Sequence, residues 1–184
     1  MAASDNNPSP EAPSDQLNIL SARTLHERLG EEINRAGRYG TQLACLLVTI
    51  GNLEQLAREH GSELSEQTLI YVARTLATQV RDFDRVGRPS EQELALILPG
   101  ADGPRGEIVA RRALRRLRTI KVEADGTREP LRISVGLAAW QADMGAEELL
   151  EQARQAGRRS NGAESPPGLV GSSPPVLGRP HGPA

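Results

Sequence analysis

Apolar and polar positions along this chain follow helical spacing in some stretches and continuous runs in others. In LSARTLHERLGEEINRAGRYG, Leu25, Leu29 and Ile33 stand four apart, the spacing that lines up side chains on one helix face, and Gly40 is well placed to end that helix. LACLLVTI is a short unbroken apolar run and predicts a central strand. From Ser65 to Val80, the residues Leu69, Val72, Leu76 and Val80 form one apolar stripe, a second long helix. DRVGR and ELALILP flank PSEQ and read as an antiparallel hairpin. Ile108 to Leu117 predicts a third helix, with Val109, Ala113 and Leu117 inward and most arginines outward. TIKVEA and PLRISVGLAAW, joined through Asp125-Gly126, predict another strand pair. AEELLEQARQA closes the order as a short helix.

The order helix, strand, helix, hairpin, helix, strands, helix predicts a mixed sheet with helices packed on it, an α/β sandwich. The patterned region is expected to be one domain over residues 15–160. Residues 1–14 and 161–184 are rich in Pro, Ser, Gly and Asn and are expected to be tails without a core of their own. A chain of 184 residues suits a single core.

Composition narrows the function classes. The formal net charge is -2, which gives no reason to expect a nucleic-acid coat or a membrane-surface protein. Cys45 is the only cysteine and lies inside LACLLVTI, so it reads as a small buried thiol in a reducing compartment. The apolar runs are too short to span a bilayer, and MAASDNNPSPEAPSDQ lacks the apolar segment of a signal peptide; a cytoplasmic location is expected. His26, His60 and His181 have no metal-ligand spacing, and no zinc site or cofactor is expected. Neither a phosphate-binding glycine loop followed by Lys-Ser or Lys-Thr nor a nucleophile elbow occurs.

Four stretches carry a resemblance. RAGRYG, from Arg35 to Gly40, and ISVGLAAW, from Ile133 to Trp140, resemble an Arg-rich helix end and a late strand of the GGDEF domain of diguanylate cyclases. DQLNIL with Ala22-Arg23 stands where that family opens with Asp-x-Leu-Thr-Gly-Leu and Asn-Arg. RPSEQELALILP matches the signature hairpin Arg-Tyr-Gly-Gly-Asp-Glu-Phe, its apolar strand and its Pro, with Arg88, Glu93 and Pro99 in place without a gap. The resemblance runs from Asp15 to about Ala156. It implies a central, mainly antiparallel five-stranded sheet flanked by helices on both faces, like the palm of nucleotide cyclases.

The same resemblance implies a reaction centre whose parts have been replaced. The family holds Mg²⁺ with one carboxylate at a strand end and one in the signature turn; Thr49 and Gln92 match them, and neither carries the charged oxygen that Mg²⁺ prefers. The turn's two glycines are matched by Ser90 and Glu91, and Glu91 puts negative charge where polyphosphate would lie. The guanine-reading Asn and Asp are matched by Ala57 and Glu66, and a basic residue by Glu54. Glu93 alone of the turn keeps its type. An Ala-Leu-Tyr-x-Ala-Lys helix with a phosphate-binding Lys is matched to AGRRSNG. Loss of catalysis is therefore expected.

A second site of the family is retained. Many members bind their product, cyclic di-GMP, at an inhibitory Arg-x-x-Asp placed a fixed distance before the signature turn, and RDFD supplies Arg81 and Asp84. The third member is an Arg of the next helix, Arg112 in the ungapped register. Arg offers a fork of donors to guanine O6 and N7, and Asp accepts from N1 and N2. A spacing of three on a helical turn puts Arg81 and Asp84 on one side. The resemblance thus implies a cyclic di-GMP receptor without turnover, signalling to a protein partner, such as exopolysaccharide or motility machinery, or through ligand-bridged dimers. Besides a residual cyclase, for which no GTP turnover is expected, two other readings stay open. One is a ligand-independent interaction scaffold. The other takes Arg111, Arg112, Arg115, Arg116 and Arg118 as a nucleic-acid helix, against which stand only four aromatic residues in the chain.

Overall fold

The computed structural model describes residues 18–160 and the backbone of 169–170. Its elements run α1 (Ala22–Tyr39), β1 (Leu43–Ile50), α2 (Leu53–His60), α3 (Ser62–Ala77), β2 (Arg85–Ser90), β3 (Glu93–Pro99), α4 (Gly103–Leu117), β4 (Lys121–Ala124), β5 (Thr127–Pro130), β6 (Ile133–Ala139), α5 (Ala146–Ser160) and β7 (Leu169–Val170). Five strands form one sheet in the order β2-β3-β1-β6-β7. All neighbours are antiparallel except β6 and β7. The expected architecture is the observed one. The stretch read as a C-terminal tail contributes β7; the rest of that reading, and residues 1–14, lie outside the described residues.

The continuous apolar run becomes the central strand because both of its faces are covered. Ala44, Leu46, Val48 and Ile50 point into a core shared with α2, α3 and α4, while Leu43, Cys45 and Leu47 point into a second core under α1 and α5. Leu94, Leu96 and Leu98 of β3 join the first core, and Ala95 and Ile97 the second. A strand alternates its side chains between faces, so only a sheet sandwiched between helices permits an unbroken apolar run. Burial pushes the Cys45 thiol up to about 12, which keeps it neutral and unreactive.

Three expectations are corrected. TIKVEA does not pair with PLRISVGLAAW: β4 pairs with β5 as a separate ribbon around Asp125 and Gly126, both at positive φ, while β6 pairs with β1. The residues of β6 are apolar on both faces and gain most in the centre of the sheet; TREP is polar and suits an exposed ribbon. A helix missing from the sequence reading, α2, buries Leu53 and Leu56, and Gly61 at φ 94 separates it from α3. Arg81–Asp84 is not helical. It is a tight turn after α3, closed by Asp84 N–H donating to Arg81 O at 3.0 Å and by Arg81 N–H donating to Asp84 Oδ2 at 2.9 Å.

The signature hairpin turns over Glu91 and Gln92 with neither residue at positive φ. The register of β2 against β3 shifts between Gly87 and Ser90, and that irregularity supplies the twist that a glycine-rich turn otherwise provides. The Arg88 guanidinium caps the loop, donating to Ser90 O and to Glu91 O, each at 3.4 Å.

Candidate functional site

Two clefts of nearly equal size flank the hairpin region, and their charges are opposite. The first, about 380 Å³, is lined by Leu53, Glu54 and Ala57 of α2, Ser62, Ser65 and Glu66 of α3, and Arg88, Glu91 and Gln92 of the hairpin. It holds three carboxylates against one guanidinium. That guanidinium is engaged, because Arg88 donates to both oxygens of Glu66 at 2.7 and 2.9 Å. Gln92 Nε2 donates to Glu54 Oε2 at 3.4 Å.

The eight residues assigned by resemblance to the former reaction centre divide between the two faces of the sheet. Glu54, Ala57, Glu66, Glu91 and Gln92 line this cleft. Thr49 and Glu93 are cross-strand neighbours on the face under α5. Ser90 Oγ donates to Glu93 Oε2 at 3.0 Å.

Glu93 is buried and held by Arg154 of α5, whose Nε donates to Oε1 at 2.8 Å and whose second amino group donates to Oε2 at 3.0 Å. Arg154 also donates to Glu151 at 2.6 Å. Sequence matching placed the basic helix motif at AGRRSNG. In α5 the six residues Leu149 to Arg154 align with that motif without a gap, sharing Leu150 and Ala153 and departing at Leu149 and Glu151, an alignment that puts Arg154 at the basic position. Burial by itself raises the pKa of Glu93, but the paired guanidinium outweighs it and holds the carboxyl below its usual range. The Arg154 guanidinium is correspondingly held in its charged form.

This pair makes a specific pH prediction. A carboxylate whose folded pKa is lowered adds stability above its unfolded pKa and loses it as pH falls through the folded value. Arg154→Ala should therefore destabilise the chain at neutral pH by about 2 kcal/mol, since it leaves a buried carboxylate with one hydroxyl partner. The penalty should shrink toward pH 3 as Glu93 protonates in both proteins. Urea denaturation at both pH values reads it, and a pH-independent penalty would refute it.

The second cleft, about 370 Å³, lies between the turn after α3 and the first half of α4. Thr78, Gln79, Val80, Arg81, Asp84, Arg105, Ile108, Val109 and Arg112 line it. The structure thus brings Arg81, Asp84 and Arg112 together, and adds Arg105, which sequence reasoning missed. Arg105 lies seven residues before Arg112, two turns along the same helix face. The signal was hidden because α4 begins at Gly103, behind an Asp102 cap that accepts from Arg105 N–H at 2.9 Å. Three guanidiniums face one carboxylate here.

Several contacts set this geometry in advance. Arg112 donates to Gln79 O, which aims its guanidinium across the cleft toward the turn. Arg81 lies over the Phe83 ring at 5.7 Å from its centroid, a favourable cation-to-ring contact. Arg85 donates to Asp82 O at 2.7 Å and to Asp84 O at 2.8 Å, pinning the turn from below. Burial raises the pKa of Asp84; the Arg81 N–H bond and the charges of Arg81, Arg85 and Arg112 offset part of that rise.

These features belong to a recognisable family. The family model "Diguanylate cyclase, GGDEF domain" matches residues 12–164, and the chain belongs to that family. Among curated relatives, the diguanylate cyclase DgcP of Pseudomonas aeruginosa is 27% identical over 149 residues, 79% of this chain and 22% of that protein. The uncharacterized membrane protein YdaK of Bacillus subtilis is 27% identical over 95 residues, 52% of this chain and 34% of that one. The chain therefore spans about a third or less of these relatives. The fold is also that of the P. aeruginosa diguanylate cyclase SiaD, solved with its activator SiaC (TM-score 0.72, 22% identity, 83% of this chain and 58% of that one). It matches the GGDEF domain of DgcB from Caulobacter crescentus, solved with c-di-GMP (TM-score 0.72, 16% identity, 83% and 88%). Among the described residues, no helix is long and apolar enough to cross a membrane.

Proposed function

We propose that this chain is a GGDEF domain without cyclase turnover that binds cyclic di-GMP through Arg81, Asp84 and Arg112 and passes the signal to a protein partner. The observation that carries the reading is the charge contrast between the two clefts. A bis-phosphate dinucleotide needs cations for its phosphates and a carboxylate for the guanine N1 and N2 hydrogens. The cleft under α4 offers both; the cleft at the signature turn offers mostly carboxylates.

Loss of turnover rests on the donor set. Mg²⁺ is held by charged oxygens and its own waters, whereas the two matched ligand positions are the neutral Thr49 and Gln92. Three carboxylates of this region are engaged, Glu93 with Arg154, Glu66 with Arg88 and Glu54 with the Gln92 amide. These residues do not suit Mg²⁺. By analogy with the domain solved beside an activator protein, a protein partner is part of the proposal.

Calorimetry with cyclic di-GMP on the wild-type chain tests the binding half, and GTP incubation with Mg²⁺ or Mn²⁺ tests the other. Saturable heat with micromolar affinity and no product is expected. An absence of heat would favour a ligand-independent scaffold, and product formation would overturn the loss of turnover.

A further inference from the structure

A second polar cluster lies at the C-terminal end of α2, on the side where the β4–β5 ribbon packs. His60 ends α2, and Asp125 sits in the ribbon turn, 65 positions further along the chain. His60 Nδ1 lies 2.9 Å from Asp125 Oδ2. A carboxylate only accepts, so Nδ1 carries the hydrogen and the neutral ring presents a bare lone pair at Nε2. That Nε2 is buried and has no hydrogen-bond partner. Around it stand two further acceptors, Glu129 Oε1 at 3.9 Å and Glu59 Oε2 at 4.0 Å.

With the ring neutral, three acceptors face one another here with no donor between them, and they repel. A proton on Nε2 would relieve the charge but not make a hydrogen bond at these lengths. A metal ion relieves both. We propose that His60, Glu59 and Glu129 form a site for a divalent first-row transition ion, with zinc as the best fit, and that Asp125 orients the imidazole from its other nitrogen.

The ligand atoms all lie within 4.8 Å of one another. Zinc bonds of about 2.0–2.2 Å set tetrahedral ligands roughly 3.4 Å apart, so closure needs each oxygen to move by about half an ångström. Both glutamates are partly exposed and free to make that adjustment. An imidazole with two carboxylates suits zinc better than Mg²⁺ or Ca²⁺, which take oxygens alone. The carboxylate behind the histidine is the arrangement that fixes the ring's tautomer and raises its basicity as a ligand. The remaining tetrahedral position is left to water.

Such an ion would bolt the ribbon to α2. The other end of this junction is already tied, because Asn52 Nδ2 donates to Pro130 O at 3.2 Å and Arg132 N–H donates to Asn52 Oδ1 at 2.9 Å. Sequence spacing gave no reason to expect a metal site, since Glu129 comes from an element that only the folded ribbon brings alongside His60.

Zinc chloride titrated into the chelator-stripped full chain tests this, with calorimetry and the melting temperature as readouts. One ion per chain and a melting temperature raised by a few degrees are expected. His60→Ala and Glu129→Gln should each weaken zinc at least tenfold, and Asp125→Asn by about tenfold. His26→Ala should leave it unchanged. Glu129→Gln keeps the side-chain shape, and an unchanged far-UV circular dichroism spectrum is the check that its fold is intact. No binding below 100 µM (a threshold of about −5.5 kcal/mol), or binding unchanged in both His60→Ala and Glu129→Gln, would overturn the site.

Discussion

Replacing Arg81 with alanine is expected to remove measurable cyclic di-GMP binding, and Asp84→Ala to do the same. Each well-made bidentate contact to guanine is worth about 1–3 kcal/mol, a factor of roughly 5–150 in affinity. Losing one fork from a micromolar complex takes it to the edge of detection. Arg112→Ala and Arg105→Ala should weaken binding by about tenfold each, because both supply charge to the phosphates from the same helix face. Arg118→Ala, outside the cleft, is the control for general charge.

Asp84 closes the turn and, in the proposed function, also reads guanine; Asp84→Asn separates the two. The asparagine oxygen can still accept from Arg81 N–H and hold the turn, but it cannot take both the N1 and N2 hydrogens of guanine. Binding should therefore be lost with the fold intact, as judged by an unchanged urea midpoint. Because burial raises the pKa of Asp84 above its ordinary value, the free protein protonates this carboxyl at a higher pH than an exposed aspartate would. Affinity in the wild type should accordingly fall as acidification carries the pH through that raised value. Wild-type affinity that is flat through that range, or Asp84→Asn binding as tightly as wild type, would refute the role given to this carboxylate.

The largest stability effect is expected at Gly136. In β6 this residue faces α5 so closely that an added Cβ would stand 1.9 Å from Ala153 O and 2.3 Å from Gly157 N. Both are backbone atoms of a helix and cannot swing aside as a side-chain tip could. Gly136→Ala must push α5 off the sheet, along with Leu149, Leu150 and Ala153 in the second core and the Arg154–Glu93 pair. A loss above about 4 kcal/mol is expected, of the order that unfolds a marginal domain. Gly30→Ala offers the contrast. It lies inside α1 with nothing within 4 Å of the new methyl, and should stabilise by about 0.5–1 kcal/mol by restricting the unfolded chain and improving helix propensity. Urea denaturation of both reads the difference, and a Gly136→Ala protein within 1 kcal/mol of wild type (a factor of about 5 in the folding equilibrium) would show that the helix can shift cheaply.

Much of the fold is legible from local pattern. Leu25 and Leu29 four apart make α1, Gly40 at φ 63 ends it, and the unbroken run from Leu43 to Ile50 goes to the centre of the sheet. These signals are short-range: a helix face or a two-sided strand is encoded within the segment that forms it. The helix α2 escaped because eight residues with two buried leucines give too little period to distinguish from a loop.

Long-range placement obeys different physics. Sequence could put Arg81, Asp84 and Arg112 on a list by their register with a family, and the turn and α4 converge so that all three line one cleft with Arg105. It could not say that Glu93 would face α5 and be claimed by Arg154, 61 positions away, or that Arg88 would close on Glu66. Nor could it foresee that His60 would face Glu129 across the ribbon.

The amino-acid order by itself determined most of the elements and the buried run, and it raised the expectation of emptied ligand positions beside a retained Arg-x-x-Asp. Only the tertiary structure decided which charges neutralise each other, which strand pairs with TIKVEA, and which guanidiniums are left facing a shared cleft. The reason is that periodicity reports burial one segment at a time, whereas an ion pair or a strand partner is chosen by competition among all segments once the sheet and its helices have closed.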